Sequence, residues 1–237
     1  MRTITKSVLA FASAGLLVGS LAACSEPASS SPSSSAAAAS SAAPSSSAPA
    51  PDATPTPVAD LPSLTGVHTQ VTLDAGFLKA LTTLKLTPGV VGTATLSKAG
   101  VLTFPITGGN IKYFDPTKAY RPFVQGEVDH DGSGISLTAG GKKVELTNFV
   151  IDPGNNSHLS GDVSLNGKSV VKGATLFTLD GNTVKPLSKD SDGNGVLEGT
   201  RVLVSPDAAA LLNKTFGTTA VTDTLLVGVA KITIKLS

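Results

Sequence analysis

The sequence predicts a mainly β domain, an antiparallel β-sandwich or barrel with two short helices. Three observations lead to this fold class. Many short runs alternate apolar and polar residues, turn-forming residues separate these runs, and only two segments have helical spacing. Many short strands at such spacing are typical of sandwiches and barrels.

The elements follow in order from residue 67. Residues 67–73 alternate like a half-buried strand, and Asp74 then caps a helix that carries Phe77, Leu81 and Leu84 at helical spacing. A second helix is predicted after Ser205, an N-cap followed by proline. The remaining strands are predicted at residues 90–96, 101–106, 123–129, 135–138, 142–151, 159–165, 174–179, 196–204 and 226–236.

Turn-forming residues separate the strands. Gly140-Gly141 and Asn166-Gly167 lie between alternating runs and predict tight hairpins. Further turns are predicted at Gly108-Gly109-Asn110, Asp131-Gly132, Asp152-Pro153-Gly154 and Asp180-Gly181. The order strand, capped helix, loop and strand with Val-Gly-x-Ala occurs near both ends of the domain, which predicts a pseudo-repeat with the two helices in equivalent places. Chance similarity between Val- and Ala-rich segments is the alternative.

Composition narrows the classes of function. The net charge is +1 and no basic stripe is present, which disfavours nucleic-acid binding because phosphates must be neutralised by clustered cations. Aromatic residues make up 4% of the chain and tryptophan is absent, so stacking platforms for sugars or bases are scarce. The only cysteine is Cys24, so apolar burial and sheet hydrogen bonds, rather than disulfides, must stabilise the domain.

The N-terminus has the pattern of an export signal. Two basic residues precede an apolar run of about 14 residues, shorter than the ~20 that span a bilayer. The run ends in Leu21-Ala22-Ala23-Cys24, which resembles the lipobox of bacterial lipoproteins. The resemblance implies that residues 1–23 are a signal peptide and that lipid on Cys24 anchors the chain at the extracytoplasmic face of the cell membrane. The alternative is an ordinary secretory signal cut after Ala23.

Residues 24–65 are predicted to be a disordered linker. They are almost all Ser, Ala and Pro, which bury too little apolar surface to offset the entropy of ordering. The linker is interpreted as a spacer, with an O-glycosylated stalk as the alternative. Residues 66–237 are enough for a single domain.

Residues 190–195 place oxygen donors at alternate positions. Asp190, Asp192 and Asn194 resemble the opening of an EF-hand calcium loop, and Glu198 falls at its ninth position. Arg201 stands where that family has a bidentate Glu, and flanking helices are not predicted. The resemblance therefore implies a weak calcium site, and a solvated turn between strands is the alternative.

His130 lies near the end of a predicted strand. Alternation places Glu127, Asp129 and Asp131 together on one face and His130 on the opposite face. The three carboxylates are interpreted as acidic surface or, alternatively, as a cation site.

Tyr113 and Tyr120 flank a predicted loop, where they are candidates for ligand contact, with core packing as the alternative. The stretch Val124-Gln125-Gly126-Glu127-Val128-Asp129-His130-Asp131-Gly132, with residues 135–138, 144–146 and 159–163, is similar in rhythm to HtaA-type haem-binding domains. Those are β-rich modules on bacterial surfaces. The resemblance implies haem ligation by Tyr113 or Tyr120 with His130 nearby. The Trp-led opening of that family is missing.

The favoured interpretation is a noncatalytic binding or structural module at the cell envelope. Its partner would be a cell-wall polymer, a small ligand or a surface protein. A haem or metal-ion carrier for uptake is the first alternative. A hydrolase is the second, although no nucleophile–base pair, Gly-x-Ser-x-Gly elbow or phosphate loop supports it.

Overall fold

The computed structural model describes residues 54–236. The predicted signal peptide, Cys24 and most of the linker lie outside these residues. The described part contains thirteen strands, two α-helices and one short 3₁₀ turn. In chain order they are β1 Ala59–Leu61, β2 Gly66–Leu73, α1 Ala75–Thr83, β3 Thr87–Gly92, β4 Thr95–Leu96, β5 Val101–Pro105, β6 Gly108–Tyr113, β7 Val124–Ala139, β8 Lys142–Asp152, β9 His158–Leu165, β10 Lys168–Asp180, the 3₁₀ turn Gly181–Thr183, β11 Ser188–Lys189, β12 Gly195–Val204, α2 Pro206–Phe216 and β13 Leu226–Ile234.

All strands belong to one antiparallel sheet. Its order is β1-β6-β7-β8-β9-β10-β12-β13-β2-β5-β4, while β3 pairs with β7 and β11 pairs with β12. The sheet curls into a half-barrel. The predicted mainly antiparallel β fold class is therefore confirmed.

The chain links the two ends of this strand order. Only two residues separate β5 from β6, yet β5 pairs with β2 near one end and β6 pairs with β7 near the other. Between them, the Thr107 N–H donates to the Asp129 carbonyl, and the Asp131 N–H donates to the Thr107 hydroxyl. The curled sheet therefore has its two ends close together around an interior.

Both predicted tight hairpins are confirmed. Ala139 pairs with Lys142 across Gly140-Gly141, and Leu165 pairs with Lys168 across Asn166-Gly167. All four turn residues have positive φ, between 50° and 77°. Two-residue turns of this type match the twist of the strands that they join, and they favour Gly and Asn.

Two other predicted turns are wrong. Gly108-Gly109-Asn110 belongs to β6, where a Cβ on Gly109 would lie 2.2 Å from the Glu127 carbonyl oxygen. The glycine is required there by the close approach of two strands. Asp131-Gly132 lies within the 16-residue strand β7, where a bulge accommodates it.

Both predicted helices are confirmed. The Asp74 carboxylate accepts hydrogen bonds from the N–H groups of Gly76 and Phe77 at the start of α1. Ser205 likewise accepts from the Ala208 N–H at the start of α2. The strands around the two helices pair differently. After α2, β13 pairs with β12, the strand that precedes the helix, whereas after α1, β3 pairs with the distant strand β7. The two segments thus share local order but not strand pairing.

The first strand begins before the predicted domain boundary. β1 pairs with β6, and Leu64 is buried in the core, so ordered structure extends into the segment assigned to the linker. Among residues 54–236, no helix is long and apolar enough to cross a membrane.

Candidate functional site

A cavity of about 840 Å³ lies within the curled sheet. Side chains from strands on both sides of the interior line it, and most of these side chains are apolar. At one end, the lining comes from loops before β7, between β8 and β9, and after β10. Asn155, Gly181 and Asn182 in these loops are exposed, so the cavity opens to solvent at this end.

Phenyl rings form a continuous part of the cavity wall. Phe104 of β5 and Phe149 of β8 meet edge to face with their centroids 5.4 Å apart. Phe149 in turn meets Phe177 of β10 at 6.5 Å in the same geometry. Edge-to-face packing is favourable between aromatic rings and holds them in place. The three rings therefore form a preformed apolar surface inside the sheet, which we call the phenyl wall.

His130 lies beside the phenyl wall and is only 1% exposed. Its Nδ1 is 3.3 Å from the Phe149 carbonyl oxygen, and its Nε2 is 2.8 Å from the Thr69 hydroxyl. A carbonyl only accepts hydrogen bonds, so Nδ1 carries the proton and Nε2 accepts from Thr69. Burial lowers the pKa of His130 to about 4, which outweighs the opposing effects of the Phe149 carbonyl and Asp131. The imidazole is therefore neutral at neutral pH, and both nitrogens are hydrogen-bonded.

The hydrogen bond between His130 and Thr69 joins two strands that do not pair with each other. Thr69 belongs to β2 and His130 to β7, and five strands, β8, β9, β10, β12 and β13, lie between them in the sheet order. The bond therefore joins two strands that are not paired in the sheet, near the place where the two ends of the sheet approach each other. It also satisfies the two buried polar side chains, which would otherwise be costly in apolar surroundings.

Bulges in β7 and β8 determine which residues face the cavity. The register of β7 shifts between His130 and Gly134, so Val128 and His130 face inward before the bulge and Ile135 after it. Asn148 of β8, with φ of 52°, accepts from the Gly132 N–H at the bulge. The side-chain amide of Asn148 also donates to Asp162 of β9. These bonds fix the bulge and thereby the direction of the His130 side chain.

The acidic residues beside His130 lie on the outer face, as alternation predicts. Glu127 and Asp131 are exposed, while Asp129 is half-buried. Burial and then the neighbouring charge of Asp131 raise the pKa of Asp129. His130 therefore points into the cavity, and the carboxylates point away from it.

Neither of the two tyrosines is among the residues that line the cavity. Tyr113 is 5% exposed, its hydroxyl accepts from the Leu187 N–H at 3.1 Å, and its ring packs edge to face on Phe123. The ring of Tyr120 packs against Phe114 with centroids 4.7 Å apart. Of the three residues predicted for ligand contact, the cavity lining contains only His130. The assignment of the tyrosines to a ligand stays a prediction.

The predicted calcium residues form a self-contained turn. The Asp190 carboxylate accepts from the N–H groups of Asp192 and Asn194 and from the Asn194 side-chain amide. The hydrogen bond from the side-chain amide of Asn194 holds the pKa of the Asp190 carboxyl below its usual range. Glu198 instead pairs with Lys185, their charged atoms being 2.9 Å apart. Within residues 54–236, no group of three or more His, Cys, Asp or Glu side chains is placed to hold a metal ion.

Sequence reasoning missed the phenyl wall and Thr69. The signal that was available is alternation, because Phe104 and Phe149 lie at buried positions of predicted strands. Alternation marks them as core, and it does not show that the core contains a cavity.

Known proteins with a similar structure share little sequence identity with this chain. No protein-family model and no curated protein matches the chain. The C-terminal domain of HtaA from Corynebacterium glutamicum is 14% identical, with a TM-score of 0.48 over 74% of this chain and 98% of that one. The heme binding protein HtaB from the same organism is 10% identical, with a TM-score of 0.45 over 73% of this chain and 94% of its own. At these values, neither neighbour assigns a ligand to this chain.

Proposed function

We propose that the domain is a noncatalytic binding module that holds an apolar small molecule in the cavity of its curled sheet. The observation that carries this proposal is the cavity itself, about 840 Å³ and walled largely by apolar side chains. Sites for small molecules have about 300–1,000 Å³ and combine apolar walls with few polar groups. The cavity meets both criteria.

The low polarity of the cavity wall indicates which kind of molecule it can hold. Water needs two to four polar partners to be stable in a protein interior. Two of the described lining residues have buried polar side chains, His130 and Thr69, and these bond each other. An apolar molecule in contact with the phenyl wall gains the free energy of burial, at about 25 cal/mol per Å² removed from water. The chemistry of the wall thus favours an apolar ligand.

A fluorescent probe tests the proposal. N-phenyl-1-naphthylamine is apolar, and its emission rises when it leaves water. We expect an increase on titration with the full-length Cys24→Ser chain, which cannot be acylated. Ala230→Phe should weaken binding by about tenfold or more, since Ala230 lines the cavity and a phenyl group would fill part of it.

The adjacent position on β13 provides the matched control. Val229 is 40% exposed, so Val229→Phe should leave probe binding unchanged. Ala230→Leu adds less volume and should give an intermediate loss, which guards against misfolding of the larger variant. Equal effects at positions 229 and 230, or no fluorescence increase with the parent chain, would contradict the proposal.

Haem is the second candidate occupant. One observation favours it, namely the phenyl wall, against which a flat macrocycle could pack. The residues present do not fit ligation by tyrosine, because the Tyr113 hydroxyl bonds Leu187 and neither tyrosine lines the cavity. If the cavity admits hemin, the Soret absorbance band of hemin should shift when the chain is added. An unshifted band in chain that binds the naphthylamine probe would eliminate haem.

We also propose that lipid on Cys24 presents this cavity outside the cell membrane. The support is the motif Leu21-Ala22-Ala23-Cys24. Mass spectrometry of the mature protein should find Cys24 at the N-terminus and acylated, and Cys24→Ala should move the protein out of the membrane fraction. An unmodified Cys24, or a leader still attached, would refute the anchor without affecting the cavity.

A further inference from the structure

The cavity wall offers few groups that could bind a metal. Among the described lining residues, only His130 and Asp180 belong to the types that commonly ligate metal ions. Asp180 lies at the end of β10, and its carboxylate accepts from the Asn182 N–H. His130 is therefore the one such side chain within the apolar part of the wall.

His130 is already committed to two hydrogen bonds. Its Nδ1–H is used by the Phe149 carbonyl and the lone pair of Nε2 by the Thr69 hydroxyl. Coordination through Nε2 would displace Thr69, and coordination through Nδ1 would displace the Phe149 carbonyl. Either change leaves a buried polar group without its partner in apolar surroundings, which is unfavourable.

The tyrosines do not supply a replacement. Tyr113 packs on Phe123 and holds the Leu187 N–H through its hydroxyl. Tyr120 packs on Phe114 within a loop in which the Arg121 guanidinium donates to the carbonyls of Lys118 and Pro116. Neither tyrosine lines the cavity itself, and each already has its own packing partner, Phe123 for Tyr113 and Phe114 for Tyr120.

The charged lining residues are restricted to the open end. Arg121 and Asp180 belong to loops or strand ends there, and Arg201 pairs in register with Asp180. The deeper wall is formed by apolar side chains and the neutral His130–Thr69 pair. Any charged group of a ligand is therefore best placed at the opening, with an uncharged ring portion inside.

We infer that the cavity holds its ligand by burial of uncharged rings against the phenyl wall, without coordinating a metal. This inference rests on the proposed function and specifies its ligand class as ring compounds, including macrocycles whose central metal is irrelevant to binding. It disagrees with the tyrosine-ligated haem that the sequence resemblance implies.

Hemin and iron-free protoporphyrin IX form a matched pair of probes, because they share the macrocycle and carboxylates and differ in the iron. We expect calorimetric titration of the full-length Cys24→Ser chain to give dissociation constants within about threefold of each other. Tyr113→Phe and Tyr120→Phe should leave both constants unchanged. Each substitution removes only a hydroxyl, and cooperative thermal unfolding will show that the variants are folded.

The outcomes separate the two proposals. Hemin binding more than about tenfold tighter than protoporphyrin, with that advantage lost in a tyrosine variant or in His130→Gln, would overturn the inference. Failure of both porphyrins while N-phenyl-1-naphthylamine still binds would also overturn it and leave the proposed function intact. Failure of the naphthylamine probe as well would remove the proposed function itself.

Discussion

His130 in the cavity wall and Asp190 in the turn before β12 both use their polar side-chain atoms in hydrogen bonds within the chain. His130 does so in a buried apolar environment, and Asp190 does so at the surface. His130 is 1% exposed and bonds residues that are distant in the sequence, Thr69 and Phe149. Asp190 is half-buried at the surface and bonds the next few residues, Asp192 and Asn194. One network joins distant strands, whereas the other closes a local turn.

The difference shows how environment determines what a polar side chain does. Around His130, low polarity makes the neutral form the stable one, and each hydrogen bond is hard to replace. Around Asp190, water can replace every bond, and the carboxylate stays ionised. A substitution or a change of pH should therefore have a large effect in the first region and a small effect in the second.

Acidification should produce the largest effect. The pKa of His130 is about 4 in the folded chain against 6.5 as the reference, so the unfolded chain takes up this proton first as the pH falls. The stability contributed by the neutral imidazole is full above about pH 6.5 and is lost progressively down to about pH 4. The loss should reach roughly 3 kcal/mol.

Urea unfolding between about pH 7 and about pH 5 measures the first part of this loss, before most carboxylates titrate. His130→Gln is the control, because it remains neutral throughout and should flatten the profile, whatever its absolute stability. A profile for the parent chain as flat as that of His130→Gln would contradict the buried neutral histidine.

Thr69→Val should have the next largest effect. The substitution keeps the shape of the side chain but leaves His130 Nε2 without its donor, at a cost of about 1–3 kcal/mol in the free energy of unfolding. Thr72→Val on the same strand is the matched control, since Thr72 is exposed and should change stability little. Comparable urea midpoints for the two variants would show that the hydrogen bond between Thr69 and His130 contributes nothing to stability.

Asp190→Ala should destabilise the chain less than Thr69→Val does. The three donors that it releases lie in a surface turn, where water can replace the carboxylate. Asp190→Asn keeps one oxygen acceptor and should lie between Asp190→Ala and the parent. A thermal midpoint for Asp190→Ala below that of Thr69→Val would reverse the comparison of the two regions.

Calcium should have the smallest effect, namely none that can be measured. Hydrogen-bond donors of the turn already occupy the Asp190 carboxylate, and Glu198 pairs with Lys185 instead of turning toward Asp190. The thermal midpoint should be the same in millimolar calcium and in chelator. A calcium-dependent increase that disappears in Asp190→Ala would revive the calcium-loop hypothesis.

Elements built from neighbouring residues were predictable. Asp74 and Ser205 cap helices, and Asn166-Gly167 turns a hairpin, because each of these depends on a few consecutive residues. Gly132, with φ of 69°, belongs to a strand bulge rather than a turn, and Gly109 was misassigned to a turn for the complementary reason. A glycine in a turn and a glycine under a neighbouring strand look the same in sequence, and only the partner strand distinguishes them.

The candidate site was predictable only in part. Alternation correctly placed His130 on the face opposite Asp131. It could not place Thr69 against His130, since they are 61 positions apart in the sequence and lie on strands that do not pair with each other. Nor could it show that Tyr113 and Tyr120 pack outside the cavity lining.

The sequence by itself determined the β class, the two capped helices and the tight hairpins, because these follow from side-chain periodicity and from the conformational preferences of adjacent residues. Only the tertiary structure decided that β2 and β7 come close enough for Thr69 to bond His130, that bulges aim His130 inward, and that phenyl rings line a cavity. These features depend on strand pairing and register between distant segments, which one-dimensional patterns do not specify.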